Sequence, residues 1–342
     1  MDERWPRLTE DLPGTGGKLK RAPEDFVVEE LPAFPPTGAG DHLWLWVEKR
    51  GADTAQVVKA LARAAGVAPA EVGFAGMKDR QAVTRQAFTV PLPRAGPLEL
   101  GLAGVRILGQ ERTARRLRTG QLRGNRFRVR IREPAEPAAA AAVLAALARK
   151  GLPNYFGEQR FGHAGDNAAR GRALLLGEQL EPRVDRVERR LLLSAYQSLL
   201  FNRALAERMR DDLYAQVLAG DVLRRADSGG LFVCQDPEVD QPRADRLELS
   251  PTGPIFGWKV RPLPEGAVAE REARLLAEEG LTREALRAGR GETQGARRPY
   301  AVPVGEVETA REGPDLVLAF SLPKGSYATV LLDEVTKAED GP

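Results

Sequence analysis

An α+β fold is expected, in which one sheet-based domain is interrupted by a helix-rich insertion, and three observations predict it. Strand signals gather in residues 26–131, the pattern turns helical from 154 to about 299, and strand signals return only at 300–307, 315–322 and 327–335. The chain has 342 residues, comfortable for two domains, and its 42% hydrophobic content can supply two cores. The expected division is residues 1–150 plus 300–342 for the sheet domain and 151–299 for the insertion.

Each element has a local reason. After a glycine-rich lead-in, 26–30 and 42–48 read as strands, the second alternating Leu43, Leu45 and Val47 against Trp44 and Trp46. Pro32, Pro35, Pro36, Gly38 and Gly40 make the loop between them. Asp53 or Thr54 then caps a helix whose Val57, Val58, Leu61 and Ala65 recur at helical spacing until Gly66 stops it. Further strands are expected at 86–90, 105–109 and 127–131, before a helix that opens at Pro137 and ends at Gly151. The alanines at 138–142 express helix propensity and no motif. Helices are expected at 166–176, 190–209, 271–279 and 282–288. In the second of these Leu192, Tyr196, Leu199 and Leu200 have core spacing, with Gln197 and Asn202 as structural caps or network members.

The composition narrows the function. Lys plus Arg total 51 against 48 acidic residues, a net charge of +3, and a sequence pI near 9.1 fits a polyanionic partner better than a cationic one. Arginines crowd one segment: Arg106, Arg112, Arg115, Arg116, Arg118, Arg123, Arg126, Arg128, Arg130 and Arg132. Such an excess suits a phosphate-binding surface, and it equally suits a solvated arginine-rich face. Cys234 is the only cysteine and only His42 and His163 accompany it, so neither an intrachain disulfide nor a zinc site is expected. The first residues, MDERWPRLTEDLPG, carry charge where a signal peptide needs an apolar core, and no run of about 18 apolar residues occurs. A cytoplasmic protein without membrane attachment is expected. Gly14-Thr15-Gly16-Gly17-Lys18-Leu19 half matches a phosphate-binding loop but fails on spacing, and no GxGxxG opens a helix, so no cofactor is expected.

The run Gly73-Phe74-Ala75-Gly76-Met77-Lys78-Asp79-Arg80-Gln81-Ala82-Val83-Thr84-Arg85-Gln86 sets one carboxylate among cations, hydroxyl and amide groups. Gly73 and Gly76 allow backbone conformations closed to other residues. Lys78, Arg80 and Arg85 would favour the ionised form of Asp79. The competing reading is an exposed turn in which Asp79 caps a helix or bonds its own backbone.

This run resembles the signature of the TruD family of tRNA pseudouridine synthases, whose nucleophilic aspartate lies in an AGxKDxxAxTxQ context, and Asp79 occupies that aspartate's place. Four further stretches match the family in order: LKRAPEDFVVEE (19–30), LRGNRF (122–127), NYFGEQRFG (154–162) and LPKGSYATVLLDE (322–334). The resemblance implies a mixed, mainly antiparallel pseudouridine synthase core carrying an inserted TRUD domain. It implies an isomerase that converts uridine to pseudouridine, at position 13 in the D arm of tRNA, with Asp79 as nucleophile or base. It places Lys20 against the catalytic aspartate, where a cation steadies carboxylate and leaving group. Glu24 and Asp25 more naturally fix a turn than act as a second catalytic carboxylate.

The resemblance also makes Asn125 and Phe127 pocket residues, although Phe127 at a strand start reads equally as core. Tyr327 falls at an aromatic position of the family, its hydroxyl a departure from the phenylalanine of some members. NYFGEQRFG mixes stacking faces with phosphate and amide donors, as single-stranded RNA sites do, and could equally be a hydrophobic hinge. Lys78, Arg160 and Phe161 complete the expected substrate contacts. The implied partner is tRNA, bound by a monomer without metal or cofactor. Rival readings are a catalytically silent RNA-binding protein and a nucleoside hydrolase.

Overall fold

The computed structural model describes residues 4–92, 98–162, 164–282, 286 and 292–338. The chain falls into two compact units, a sheet unit of Gly14–Ala141, Val304–Gly325 and Val335–Pro342 and a helical unit of Met1–Pro13, Ala142–Pro303 and Ser326–Glu334.

The sheet unit contains β1 (Phe26–Pro32), β2 (His42–Arg50), α1 (Thr54–Ala65), β3 (Gly73–Phe74), β4 (Val83–Pro91), β5 (Val105–Thr113), β6 (Leu122–Ile131), β13 (Gly305–Glu312) and β14 (Asp315–Pro323). The strand order is β13-β14-β6-β1-β4-β2-β5, with β3 added to β4. Among the described strands of this sheet only β1 and β4 run parallel, so it is mixed and mainly antiparallel. α1 starts where Asp53 accepts from the Gln56 amide at 2.7 Å while the Gln56 side chain accepts from the Asp53 amide at 2.9 Å. It stops at Gly66, whose φ of 67° is the left-handed cap that glycine allows. Val57, Val58 and Leu61 pack with Leu43, Leu45, Val47, Phe88 and Val90, the inward residues of β2 and β4. The register sets Leu43 against Val90, Leu45 against Phe88, Val47 against Gln86 and Lys49 against Thr84. One face is therefore apolar in its middle and polar, though still buried, at the end next to residue 79.

The opposite face is a cross-strand ladder of alternating charge. Arg106 and Arg85 flank Glu48, Arg85 and Arg126 flank Glu29, and Arg126 continues to Glu306. Arg128 and Arg130 pair with Glu312, Arg130 and Arg132 with Asp315, and Arg132 with Asp25 at 2.7 Å. Arg106, Arg126, Arg128, Arg130 and Arg132 thus leave the expected phosphate-binding surface, because carboxylates on neighbouring strands already neutralise them.

The helical unit takes in most of α2 (Ala139–Lys150), then β7 (Leu152–Pro153), α3 (Asn167–Leu175), α4 (Arg186–Arg210), β8 (Val222–Arg225), β9 (Leu231–Val233), α5 (Pro237–Asp245), β10 (Leu249–Ile255), α6 (Gly266–Glu278), β11 (Ala296–Pro299), β12 (Ala301–Val302) and most of α7 (Ala328–Thr336). Asp185 caps α4 by accepting from Val187 and Glu188 at 2.8 Å. Tyr196, Leu199 and Leu200 pack with Ala168 of α3, and Leu192 with Leu174. Gln197 donates to the Phe256 carbonyl, and Asn202 bonds both backbone groups of Phe156, at 2.8 and 3.0 Å.

Three expectations change. Residues 154–299 are not helical throughout: β8, β9, β10 and β11 form a four-stranded sheet. β8 and β9 are very short, and β10 carries Pro251, Gly253 and Pro254, residues that depress strand signals. Residues 327–335 are not a strand, since α7 covers them. Thr329, Val330, Val335 and Thr336 favour strands, but Ala328, Leu331, Leu332 and Val335 are buried at helical spacing, and tertiary packing overrides propensity. The unit boundaries also differ from 150/151 and 299/300, because both the amino-terminal residues and 326–334 join the helical unit. There Arg7 forms a two-point pair with Asp333 at 2.9 Å, Trp5 stacks on Tyr155 at 5.7 Å, and Glu334 accepts from the amides of Leu8 and Thr9 and the Thr9 hydroxyl at 2.6–3.0 Å. The helix expected at 282–288 falls largely outside the described residues.

Removing the Glu334 carboxylate strands buried donors, each costing about 1–3 kcal/mol. Glu334→Ala is expected to lower the unfolding free energy by about 3 kcal/mol in urea titrations. A loss under about 1 kcal/mol would contradict this role of Glu334.

Candidate active site

Residues 75–82 form the loop between β3 and β4; buried side chains from three elements hold its backbone and one from a fourth pairs with its Lys78 side chain. Gln86 of β4 donates to the Gly76 carbonyl at 3.0 Å. Thr54, the first residue of α1, accepts from the Lys78 amide at 3.0 Å. Lys49 of β2, 1% exposed, donates to the Asp79 carbonyl at 2.6 Å and to the Ala52 carbonyl at 2.9 Å. Glu30 of β1 is fully buried at its side chain; it pairs with the Lys78 ammonium at 3.0 Å and accepts from the Ala87 amide at 3.3 Å. Above these anchors the Asp79 side chain is exposed, and one carboxylate oxygen accepts from the Gln81 amide at 3.0 Å. The local turn bond foreseen by the competing reading is therefore present. A self-stabilised turn, however, does not require a buried ammonium beneath it, which is costly to desolvate.

The cations flanking Asp79 in sequence do not gather around it as expected. Lys78 turns inward to Glu30, Arg80 donates to the Gly51 carbonyl at 2.9 Å, and Arg85 joins Glu48 at 2.9 Å in the ladder. The reason is alternation along the chain: Arg85 lies on the ladder face, and buried Glu30 demands a counter-charge. The glycines also act differently. Neither Gly73 nor Gly76 takes a left-handed conformation. Gly73 is required because a Cβ there would lie 2.4 Å from the Leu117 carbonyl oxygen and from the Thr89 hydroxyl.

Lys20, half-buried, has a φ of 54°, a strained value for a side-chain-bearing residue. Its ammonium lies 5.1 Å from the centroid of the Phe26 ring. Lys20, Gly51, Arg80 and Gln81 line one depression of about 460 Å³ beside the Asp79 loop. Phe127 is buried, stacked on Phe320 at 5.2 Å and edge-on to Phe26 at 6.1 Å, so one of its faces is covered. Asn125 stands opposite Glu30 in the register, and its amide oxygen is buried without a hydrogen-bond partner among the described residues. Asp25 accepts from the Ala22 amide at 3.0 Å, fixing the turn after Lys20, and Glu24 pairs with Arg50.

Arg160, Phe161 and Tyr327 belong to the helical unit. There Phe156 centres an aromatic and cationic cluster, with Tyr327 at 5.9 Å between ring centroids and the guanidinium groups of Arg298 and Arg160 at 4.0 and 5.8 Å. Arg160 also donates to the hydroxyls of Ser198, at 3.1 Å, and Ser194. Phe161 packs, partly buried, against Tyr196, Leu199 and Leu200. Burial pushes the Arg298 guanidinium down to about 10, with Tyr327 opposing the fall and Arg160 adding to it. Burial likewise raises the Tyr327 phenol above its ordinary value. Gly157 makes room, since a Cβ would meet the Thr329 hydroxyl at 2.7 Å and the Tyr327 ring at 3.0 Å.

Sequence reasoning missed Lys49, Thr54 and Gln86 as supports of the loop, and Arg298 in the aromatic cluster. One signal was available for the first: Lys49 continues the inward parity of Leu43, Leu45 and Val47.

The chain matches the family model described as tRNA pseudouridine synthase D (TruD) over residues 6–185 and 182–335. It is 51% identical over 338 residues to a tRNA pseudouridine synthase D of Anaeromyxobacter sp. (strain Fw109-5), covering 97% of this chain and 96% of that protein. It is 48% identical over 342 residues to a tRNA pseudouridine synthase D of Thermus thermophilus, covering 98% and 93%. A crystal structure from Methanosarcina mazei that carries the TruD description superimposes with a TM-score of 0.77 at 23% identity, covering 98% and 96%, and shows the same fold.

Burial pushes the Lys49 ammonium down from 10.5 to about 8, against the pull of Asp79 and Asp53 and with the help of Lys78. Because the folded value is the lower one, stability from this group is full above 10.5 and lost as pH falls through 8. The ammonium thus costs the fold about 3 kcal/mol at neutral pH. Urea unfolding at pH 7 and pH 10 is expected to show a rise in stability for the wild type that exceeds the rise in Lys49→Met by about 2–3 kcal/mol. Equal rises would refute the buried ammonium.

Proposed function

The chain belongs to the TruD family of tRNA pseudouridine synthases, and we propose that it isomerises uridine 13 in the D arm of tRNA with Asp79 as the reacting carboxylate. The observation that carries the assignment to Asp79 is its exposed carboxylate on a loop whose backbone is fixed by Lys49, Thr54 and Gln86. Isomerisation breaks the bond from N1 to C1′ and forms one from C5 to C1′. C5 loses its proton and N1 regains one, so no external atom is consumed. Asp79 either attacks C1′ or removes the 2′ proton to give a glycal. Either route requires the uridine to leave its stack, at a cost of a few kcal/mol that backbone contacts offset.

In this reading the sheet unit is the pseudouridine synthase core and the helical unit carries the TRUD insertion. Lys20 faces the departing uracil from the depression it shares with Arg80 and Gln81. Asn125, whose buried amide oxygen lacks a partner among the described residues, accepts from the N3–H of the base. Phe127, one face of which is covered by Phe320, helps wall the pocket around the uracil. Lys78 acts through Glu30 as a support of the pocket floor. Arg160, Phe161 and Tyr327 supply cationic and aromatic contacts to the RNA from the helical unit.

Release of tritium from C5 of uracil in tRNA tests this assignment, because that proton must leave when C5 joins C1′. Wild-type protein is expected to release one equivalent per modified site, and Asp79→Asn none, while the variant still binds tRNA. Release by Asp79→Asn at the wild-type rate would remove Asp79 from the chemistry, and modification at a uridine other than 13 would overturn the target.

A further inference from the structure

Ten arginines fall between residues 106 and 132, and the structure sorts them into two classes. Five are neutralised in the strand ladder. The other five, Arg112, Arg115, Arg116, Arg118 and Arg123, are exposed, and none is ion-paired with a described carboxylate. Arg112 donates to the Gly40 carbonyl at 2.8 and 3.1 Å, Arg116 to the Ala70 carbonyl and Arg123 to the Pro32 carbonyl at 3.1 Å. The Arg115 guanidinium lies 5.2 Å over the Phe34 ring. Carbonyl and ring contacts orient a guanidinium without cancelling its charge, and N–H groups remain for a further acceptor. No Asp or Glu occurs from 112 to 123.

These residues lie on or beside the connection 114–121, which carries the chain from β5, at one edge of the sheet, to β6. The connection is fastened to the sheet. Leu117 is 1% exposed, its amide donates to the Thr89 hydroxyl at 3.0 Å, and its carbonyl occupies the space that glycine leaves at position 73. The Gly120 amide donates to the Ala75 carbonyl at 2.7 Å, and the exposed Lys324 ammonium donates to the Gly120 carbonyl at 3.1 Å. Ala75 opens the loop that bears Asp79. A strap of uncompensated cations is therefore pinned directly to that loop.

We propose that this strap grips the phosphates of the RNA backbone that flank the uridine presented to Asp79. The proposal rests on the reading of the protein as a tRNA pseudouridine synthase. Phosphodiesters fit because they offer paired acceptor oxygens to guanidinium forks at a spacing a fixed strap can follow. An acidic protein segment is the other polyanion such a surface could hold.

The test is the salt dependence of binding to an unmodified tRNA transcript, followed by fluorescence anisotropy. One triple variant changes the strap (Arg115→Gln, Arg118→Gln, Arg123→Gln), and a second changes the ladder (Arg106→Gln, Arg126→Gln, Arg128→Gln). Both remove the same net charge, so net charge alone predicts equal effects. Each lost phosphate contact lowers the slope of log K against log salt by about 0.7–0.9, so the strap triple is expected to lose about 2–3 from the slope and the ladder triple almost nothing. Equal slopes for the two triples, or tRNA binding by the strap triple identical to wild type, would overturn the proposal. If a triple fails to fold, the single variants Arg115→Gln and Arg118→Gln each carry the expected change of about 0.7–0.9. A preserved slope contrast without any tritium release by the wild type would count against the catalytic reading alone.

Discussion

The site depends on a buried ammonium. Lys49 continues the inward row of Leu43, Leu45 and Val47, yet it ends in a charge that reaches the carbonyls of Ala52 and Asp79. The reach of the exposed Asp79 carboxylate is set by its loop, which without internal anchors would sample many conformations. Lys49, Thr54 and Gln86 remove that freedom by bonding the backbone at three points within residues 76–79. Desolvating the ammonium costs stability, and its two carbonyl bonds offset part of that cost. Positioning of this kind is worth orders of magnitude in rate, since misplacement by about 1 Å can cost about a hundredfold.

The sheet separates two electrostatic tasks. On one face Glu30 and Lys78 form a buried ion pair, and Lys49, Thr54 and Gln86 bond the backbone of the 75–82 loop. On the other, arginines and glutamates of adjacent strands neutralise one another. Among the described residues, arginines without a carboxylate partner are left on or beside the 114–121 connection, and Lys20 lines the depression beside the 75–82 loop. A modest net charge of +3 is thus compatible with a strongly cationic local surface.

What could be read from the sequence follows from which forces act locally. The alternation of β2 and the Asp53 to Gly66 framing of α1 are short-range signals, and the structure reproduces them within a residue or two. The TruD-like strings drew attention to the 75–82 loop and to Lys20, which the structure sets along one depression with Arg80 and Gln81. Residues 327–335 misled because their β-branched side chains favour a strand, whereas burial at helical spacing makes α7. β8 to β11 were silent because short strands containing prolines owe their existence to partners distant in sequence. The destinations of Lys78 and Arg85, like the division of the ten arginines, depend on cross-strand register, which a linear sequence does not display.

The central claim is that the buried supports of residues 76–79 hold Asp79 in its reactive position. Its most direct test is the single-turnover rate of pseudouridine formation by Lys49→Met at saturating tRNA, with tRNA affinity measured in parallel. The account predicts a rate at least about tenfold below wild type with affinity essentially unchanged. A wild-type rate in a folded Lys49→Met protein would contradict it.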